Sequence, residues 1–482
     1  MIDTIEVIGR ESAKYTLDKA LEANKASLVT VYGRRRVGKT YLINTYLRDS
    51  ISFHYQGIHN ITTELQLDKF TRRLSEQLNN SVPLTVPADW FDALSLLGSL
   101  LKKKRSKKLV IFLDEFPWMQ TPKSNFLAAF ENFWNTWAAD KPNVTVIICG
   151  SAASWMLQKV VRNKGGLHNR ITHKIVLYPF SLYETELFLQ SKKVNLNRYQ
   201  TIQLYMAIGG IPQYLELAEP GMSAAQIIDA ACFNKSGFLY NEFEELYSSL
   251  FYKAERHVKI IRALAAKPDG LIRNQIIKAA KLQTGGTAST LLEELSSAGF
   301  ITLYIPFGKK TKDTVYKLTD EYSLFYLKFM ESNRISAKGT WQKLSSTASY
   351  ASWSGLAFET LCIKHTAAIK KALGITAIHT ESSSWRAPGA QIDLLIDRRD
   401  QCINLCEMKF YGDNFTIDNK YAAVLRQKET VFKEKTKTRK QVFFTLITTF
   451  GINKNEHSIG LVDSVIVADK LFSGIKDGME NP

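Results

Sequence analysis

A short run rich in glycine and arginine narrows the folds open to this 482-residue chain: Gly33-Arg34-Arg35-Arg36-Val37-Gly38-Lys39-Thr40. The run matches G-x-x-x-x-G-K-[S/T] at every fixed position, follows the apolar run SLVTVY and opens the helical pattern TYLINTYL. Its glycines let successive backbone N–H groups point at phosphates. Lys39 would neutralise the β- and γ-phosphates, and the Thr40 hydroxyl would bind Mg²⁺. The sequence therefore predicts a nucleotide site, in which we include the adjacent Tyr41.

A second apolar run, LVIFLDE, ends in two carboxylates that suit the same site. Asp114 can hold Mg²⁺ through water, and Glu115 can orient the attacking water. The alternative is a surface acidic pair after a core strand. A third run, VTVIICG, ends at Ser151. Its hydroxyl either senses the γ-phosphate or caps the following helical pattern ASWMLQKV, and the sequence favours neither role.

Up to about residue 178, these apolar runs alternate with helical patterns such as LDKFTRRLSEQL. Continuous apolar strands separated by helices indicate an α/β fold, a parallel sheet with helices on both faces. Residues 181–252 have a helical pattern throughout, interrupted at GGIPQY. The sequence thus predicts a P-loop NTPase core at 1–180 and a helical lid at 181–252.

The next stretch has the element order of a winged helix-turn-helix. Three amphipathic helices precede FITLYIPFGKKTKDTVYKL, which has the pattern of two strands around a basic turn. We expect this domain at 253–335, followed by a linker at about 336–349. The predicted reading helix carries Glu293 and Glu294, which would repel a DNA backbone, so the lysine-rich turn is the better candidate for phosphate contact.

Four residues in the last part of the chain have the spacing of a metal-dependent hydrolytic site. Glu359 lies in a predicted helix, Asp393 in the strand QIDLLID, and Glu407 and Lys409 in the strand CINLCEMKF. Alternate strand residues share a face, so Glu407 and Lys409 project together. Asp393 and Glu407 can hold Mg²⁺, while Lys409 can position water or stabilise developing charge. The alternative is a salt-bridged hairpin.

The first half of the chain resembles the prokaryotic, archaeal-type ATPases of the AAA+/STAND group, from Ile8 to about residue 252. The resemblance rests on Ile8-Gly9-Arg10-Glu11, the arginine-rich loop, LDEFPWM, CGSAASWM and Gly209-Gly210-Ile211-Pro212. It implies ATP as the nucleotide, with Gly9, Arg10 and Pro212 near the adenine. It also implies a phosphate contact for Arg170, although Asn169 replaces the glycine that precedes this arginine in relatives.

The last part, from about residue 353 to 468, resembles the PD-(D/E)XK nucleases, in particular the branch attached to such ATPases. The resemblance rests on Glu359, Asp393, Glu407 and Lys409 in the order helix, D, E-x-K. It implies a C-terminal α/β restriction-endonuclease-like domain, at 341–475, that cuts DNA with Mg²⁺. Basic residues of the following helix and turn flank this predicted site: Arg426, Lys428, Lys433, Lys435, Lys437, Arg439 and Lys440.

The net charge of +17, from 63 Lys and Arg against 46 Asp and Glu, favours a polyanionic partner such as DNA. The alternative is a solvated cationic surface. Five scattered cysteines exclude a disulfide framework, and no signal peptide or membrane-spanning run is evident. We therefore expect a cytoplasmic protein whose oligomeric state stays open.

Together these patterns predict an ATP-hydrolysing protein coupled to a metal-dependent DNA nuclease-like domain. One alternative is an ATP-gated regulatory switch that binds DNA or a protein without cutting. Another is a nucleotide-dependent sensor of protein partners that needs no nucleic acid.

Overall fold

The computed structural model describes residues 6–79, 81–104, 106–162, 167, 169–251, 253–283, 285–333 and 339–474. The chain divides into two compact units, Met1–Tyr178 and Pro179–Pro482. Within the described residues, no helix has both the length and the apolar character that crossing a lipid bilayer requires.

The first unit is built on a five-stranded sheet in the order β2-β3-β4-β1-β5. All neighbouring strands are parallel. The strands are β1 (Ser27–Tyr32), β2 (Ile51–Gln56), β3 (Leu109–Asp114), β4 (Val144–Gly150) and β5 (His173–Val176). Every residue of β1, β3 and β4 is buried, as expected for strands covered on both faces. The predicted parallel sheet is confirmed.

Helices connect these strands: α1 (Glu11–Glu22), α2 (Lys39–Tyr46), α3 (Thr63–Leu78), α4 (Trp90–Lys102), α5 (Phe116–Met119), α6 (Phe126–Phe133) and α7 (Ala153–Trp155). One core cluster centres on aromatic side chains, with Phe70, Trp90 and Phe126 fully buried. Edge-to-face contacts join Trp90 to Phe70 and to Phe126, at 5.3 and 4.8 Å between ring centroids. This packing fixes α3, α4 and α6 against the sheet and leaves the carboxyl ends of the strands for the site.

The second unit begins with short helices: α8 (Leu182–Ser191), α9 (Arg198–Ile208), α10 (Pro212–Leu215), α11 (Ala224–Ile228) and α12 (Glu242–Leu250). The predicted interruption at the double glycine is confirmed. A side chain at Gly210 would put its Cβ 2.0 Å from the Phe180 carbonyl oxygen, and Gly209 has a φ of 69°. Only glycines fit this close approach, and Pro212 then starts α10.

The predicted helices and hairpin of the next stretch are present. They are α13 (Glu255–Ala265), β6 (Leu271–Ile272), α14 (Arg273–Ala279), α15 (Gly286–Ser297), β7 (Ile301–Tyr304) and β8 (Val315–Leu318). β8 pairs antiparallel with both β6 and β7. A further helix, α16 (Glu321–Phe325), follows.

The prediction of a linker at 336–349 is wrong for its described part, which begins at residue 339. Thr340–Leu344 forms α17, and the indole of Trp341 is buried, stacked on Phe233 at 6.0 Å. The carboxylate of Asp229 accepts hydrogen bonds of 2.7 Å from the backbone N–H groups of Gly339 and Trp341. The serine and lysine composition suggested a linker, but one tryptophan anchors the segment.

The C-terminal module is a five-stranded sheet in the order β15-β13-β11-β10-β9, with β11, β13 and β15 parallel and β9 and β10 antiparallel. Its elements are α18 (Ala348–Lys364), α19 (Thr366–Ala372), β9 (Thr380–Ala387), β10 (Ala390–Arg398), β11 (Cys402–Lys409), β12 (Phe415–Thr416), α20 (Asn419–Thr436), β13 (Gln441–Thr448), β14 (Ile452–Asn453) and β15 (Ser464–Val467). The strands expected at QIDLLID and CINLCEMKF are confirmed as β10 and β11.

The helix predicted around Glu359 is α18, which ends at Lys364, and His365 separates it from α19. The His365 Nε2 accepts a 3.0 Å hydrogen bond from the Leu182 backbone N–H, and its Nδ1 lies 2.8 Å from the Leu361 carbonyl oxygen. Burial lowers the pKa of His365 to about 4, so the ring is neutral at physiological pH. His365 is therefore a structural residue that joins α18 to α8.

Candidate functional site

The phosphate-loop segment connects β1 to α2, as the sequence predicts. Its two glycines are needed for different structural reasons. A Cβ at Gly33 would lie 2.1 Å from the Leu177 carbonyl oxygen, so the close passage of the chain beyond β5 requires glycine there. Gly38 has a φ of 86°, and no atom of the described residues lies within 4 Å of its Cβ position. A phosphate can therefore approach the backbone closely at Gly38.

The ammonium group of Lys39 is held by the loop itself. Its Nζ donates hydrogen bonds to the carbonyl oxygens of Gly33, at 3.1 Å, and Arg34, at 2.8 Å. Burial lowers the pKa of Lys39, while nearby groups, including Glu115 and Asp114, act in the opposite direction. A buried cation that donates to neutral loop carbonyls would bind phosphate oxygens more strongly, because charge-assisted hydrogen bonds are the stronger ones.

Thr40 and Asp114 meet directly, although 74 residues separate them in the chain. The Thr40 Oγ1 donates a 2.7 Å hydrogen bond to the Asp114 Oδ2, and the Asp114 Oδ1 accepts from the Glu115 backbone N–H at 2.9 Å. Asp114 is fully buried at the end of β3. A hydroxyl and a carboxylate are ligands that Mg²⁺ prefers, so this pair can share one ion, directly or through water.

Glu115 and Ser151 link the carboxyl ends of β3 and β4. The Glu115 Oε2 accepts from the Ser151 Oγ at 2.8 Å and from the Ser151 backbone N–H at 3.1 Å. Glu115 itself adopts a left-handed conformation with a φ of 43°. The helix after Ser151 begins at Ala153 with Ala152 as its N-cap, so the capping interpretation of Ser151 is wrong. Ser151 instead orients the Glu115 carboxylate.

We expect Ser151→Ala to move the acid limb of the ATPase pH profile to higher pH. Burial raises the pKa of Glu115, and the hydrogen bond from Ser151 works against that rise by stabilising the carboxylate. Losing the hydroxyl raises the pKa further, so more of the base is protonated at a given acidic pH. Single-turnover rates across a pH series measure this shift, and an acid limb identical to the wild-type one would contradict it.

The other residues predicted around the nucleotide have distinct environments. Arg10 follows Gly9, whose φ is 64°, and donates from Nη1 to the Tyr178 carbonyl oxygen at 2.6 Å and from Nη2 to the Val37 carbonyl oxygen at 3.0 Å. Arg10 thus holds the phosphate loop in place through the Val37 carbonyl oxygen, a contact that the sequence did not reveal. Arg170 is exposed.

Other members of the predicted set divide by exposure: Arg34 and Val37 are buried, Arg35 and Arg36 are partly buried, and Tyr41 is exposed. Arg36 has a left-handed φ of 71°, in the middle of the loop. Pro212 lies in the second unit, where it is partly buried at the start of α10. The adenine contacts of Gly9, Arg10 and Pro212 stay predictions.

A parallel sheet with this loop after β1 and an acidic pair after β3 defines a P-loop ATPase fold. Residues 8–218 also match a family model described as an ATPase domain predominantly from Archaea. Over these residues the chain is therefore similar to the ATPase domains of that family.

Three relatives illustrate how far the similarity extends. An uncharacterized protein of Methanocaldococcus jannaschii is 23% identical over 395 residues, which cover 80% of this chain and 83% of the relative. The Walker-type ATPase of Pyrococcus abyssi is 19% identical, with a TM-score of 0.49, over 67% of this chain and 96% of that one. The ORC2 protein of Aeropyrum pernix is 15% identical, with a TM-score of 0.40, over 70% and 93%.

A second group of functional side chains lies on the C-terminal sheet. Asp393 and Glu407 are one residue beyond Leu394 and Cys406, the last pair in the antiparallel register of β10 and β11. Opposed residues share a face, so both carboxylates project to the same side. Burial, with the charges of Asp393 and Glu407, raises the pKa of Glu359 to about 7. The structure thus brings the three predicted carboxylates into one electrostatic environment.

Cations and hydrogen-bond donors balance these carboxylates. Lys428 of α20 pairs with the Glu407 Oε1, and the Tyr421 hydroxyl donates to the Glu407 Oε2 at 3.2 Å. The ammonium of Lys409 lies 4.8 Å from the centroid of the Tyr421 ring. The Gln391 Nε2 donates to the Asp393 Oδ1 at 2.7 Å.

Sequence reasoning missed the roles of Gln391, Tyr421 and Lys428. A usable signal existed, because Gln391 and Asp393 alternate on β10 and Tyr421 and Lys428 are two helical turns apart on α20. Over the described ranges, no three His, Cys, Asp or Glu residues form a group that could hold a metal ion. Any ion here would rest on Asp393 and Glu407, the two ligands predicted, with Lys428 displaced from Glu407.

Glu359→Gln should stabilise the C-terminal module at alkaline pH and have little effect near pH 4. A carboxyl with a folded pKa of about 7, above the usual value of roughly 4.3, binds its proton more tightly in the folded state. Stability then falls as the pH rises from the unfolded value through the folded one. The neutral amide removes this cost, roughly 1–3 kcal/mol at pH ~8.

Thermal melts at both pH values measure this effect. Glu456→Gln is the control, because that side chain is 86% exposed. An equal melting temperature for Glu359→Gln and wild type at pH ~8 would contradict the clustering of the three carboxylates.

Proposed function

We propose that the chain binds and hydrolyses ATP with Mg²⁺ and couples the nucleotide state to a metal-dependent, nuclease-like domain that acts on DNA. A chain of hydrogen bonds carries the ATPase part of the proposal. It runs from Thr40 to Asp114, from Asp114 to Glu115 and from Glu115 to Ser151, and it joins the start of α2 to the ends of β3 and β4. The family match over residues 8–218 supports the same conclusion. The proposed boundaries are those predicted from the sequence: 1–180, 181–252, 253–335 and 341–475.

In the ATPase site, each side chain has a separate task. Lys39 would exchange its carbonyl partners for phosphate oxygens and neutralise their charge. Thr40 and Asp114 would hold Mg²⁺, which supplies charge neutralisation between the phosphates when bound. Glu115, oriented by Ser151, would accept a hydrogen bond from the attacking water and align it.

In the C-terminal site, the common face of Asp393 and Glu407 and the raised pKa of Glu359 support a hydrolytic role. Asp393 and Glu407 would hold a divalent ion, which lowers the pKa of a bound water and polarises a phosphodiester when present. Lys409, whose ammonium lies 4.8 Å from the centroid of the Tyr421 ring, would position water or stabilise charge on the phosphoryl oxygens. Glu359, with a pKa raised to about 7, can exchange a proton near neutral pH.

The module of α13–α15 and the β7–β8 hairpin is proposed as a winged helix that packs rather than reads bases. On α15, the Glu294 carboxylate lies 2.7 Å from the Nε2 of buried His257, and Ser289 accepts a 3.0 Å hydrogen bond from Arg273. Two polar residues of the predicted reading helix are therefore used inside the module. Lys309, Lys310 and Lys312 of the hairpin turn are exposed and suit phosphate contact.

A second candidate is an ATP-gated switch whose C-terminal domain holds DNA or a protein without cutting it. The ion pair of Lys428 with Glu407 favours this candidate, because a lysine then occupies one of the two carboxylates that an ion would need.

One assay separates the two candidates. Full-length protein is incubated with plasmid, single-stranded and branched DNA, with Mg²⁺ or Mn²⁺, and with or without ATP. Metal-dependent cleavage supports the nuclease-like reading, and ATP-dependent binding without cleavage supports the switch. Failure to bind ATP would contradict both, and binding without hydrolysis would contradict the first.

A further inference from the structure

An open cavity of about 570 Å³ lies beside the C-terminal carboxylates. It is lined by Arg386, by residues 387–390, by Gln391 and by Lys428 of α20. Ala387 pairs with Ala390, so Pro388 and Gly389 form a two-residue turn between β9 and β10. Gly389 has a φ of 85°, which suits the third position of a Pro-Gly turn. At Gly389 this turn adds no side chain to the rim of the cavity.

All the charge on the cavity wall is positive. Arg386 and Lys428 are cations, and Gln391 adds an amide, while no lining residue carries a carboxylate. The Arg386 side chain is 59% exposed and pairs at 2.6 Å with Asp269, which is 47% exposed. An ion pair between two such exposed side chains contributes little, so another anion can replace Asp269.

The cavity is connected to the carboxylate site by one side chain. The Gln391 Nε2 donates to the Asp269 Oδ1 at 3.0 Å and to the Asp393 Oδ1 at 2.7 Å. On the other wall, Lys428 reaches the Glu407 carboxylate. An anion held by Arg386 and Lys428 would thus be adjacent to both Asp393 and Glu407.

We propose that this cavity is a binding subsite for a backbone phosphate of a nucleic acid, with Arg386 and Lys428 as its cationic ligands. The proposal rests on the proposed action on DNA and specifies where the strand is held. The planar guanidinium of Arg386 matches two phosphate oxygens, and Lys428 supplies a point charge. The glycine turn lets a sugar-phosphate backbone approach closely.

The test measures binding rather than cleavage. Full-length protein is titrated onto a labelled oligonucleotide, single-stranded or duplex, in EDTA and without ATP, over a series of salt concentrations. Arg386→Ala should weaken binding by roughly tenfold and reduce the slope of log K against log salt by about 0.7–0.9, because one phosphate contact is lost. Lys428→Ala should act in the same direction.

Two variants keep the test interpretable. Lys428→Ala leaves buried Glu407 without its cation and can unfold the module, whereas Arg386 is exposed and its loss leaves the core intact. The matched control is Lys454→Ala in the same module, where the lysine is exposed and is not among the residues that line the cavity.

Each outcome decides a different claim. Weaker binding and a smaller slope for Arg386→Ala, with Lys454→Ala like wild type, supports the subsite. DNA binding that is equal in wild type and Arg386→Ala, or equally reduced by Lys454→Ala, overturns the subsite and leaves the proposed function standing. No binding of any DNA by the wild-type protein, in EDTA without ATP and again with ATP and Mg²⁺, overturns both. Competition by polyglutamate that depends on Arg386, without an effect of this residue on DNA, would assign the cavity to acidic polypeptides instead.

Discussion

Lys39→Ala is expected to reduce ATP hydrolysis by roughly 100- to 1,000-fold, since it removes the cation that would meet the phosphates where charge develops. In the structure this ammonium is buried and donates hydrogen bonds to the carbonyl oxygens of Gly33 and Arg34. Its burial lowers its pKa. The fold of the first unit should survive, so the loss will be one of catalysis.

Steady-state hydrolysis and a thermal melt by circular dichroism measure the two parts of this expectation. Lys107→Ala is the control, because that lysine is exposed in the loop before β3. Glu115→Gln should retain nucleotide binding but hydrolyse slowly, since the water loses its orienting base. Hydrolysis at the wild-type rate in Lys39→Ala would end the ATPase assignment of this loop.

The first sheet shows what local sequence can predict. β1, β3 and β4 are continuous apolar runs in the middle of the sheet, so their composition alone predicts that they are strands. β2 and β5 were missed because they lie at the sheet edges. His54 and His173 interrupt their apolar patterns, and such mixed short segments do not stand out from loops.

Pairs of residues joined only by the fold could not be predicted in the same way. Asp114, Glu115 and Ser151 could be predicted as site residues because polar side chains follow the apolar strands there. The sequence did not reveal that Ser151 donates a hydrogen bond to Glu115 and does not cap a helix. The resemblance predicted that Arg10 lies near the adenine. Its contact with the Val37 carbonyl oxygen could not be predicted, because it depends on how the tertiary fold places the N-terminal residues against the phosphate loop. In the sequence, Lys428 is one of several basic residues of this segment, and its ion pair with Glu407 becomes evident only once α20 is folded against the sheet.

Asp393→Asn and Lys409→Ala should separate metal binding from cleavage in the C-terminal module. Carboxylates that share one face repel one another, and burial together with this repulsion raises the pKa of Glu359. A divalent ion relieves it, so Mg²⁺ or Mn²⁺ should raise the melting temperature of the wild-type protein. Asp393→Asn should remove most of this increase, because it removes one of the two expected ligands. Asp413→Asn, at an exposed position, is the control.

Lys409→Ala should leave the increase in melting temperature with metal intact and lower any DNA cleavage by roughly 100-fold or more. Its ammonium lies over the Tyr421 ring, and the Glu407 carboxylate already has Lys428 as its partner, so Lys409 is free to act on water or phosphate. The two variants therefore differ in melting behaviour while sharing the loss of cleavage. If metal ions leave the melting temperature of the wild-type protein unchanged and no form of DNA is cut, the carboxylates have a structural role and the module has no nuclease site. The pairing of Glu407 with Lys428 would then be the resting state of a binding switch.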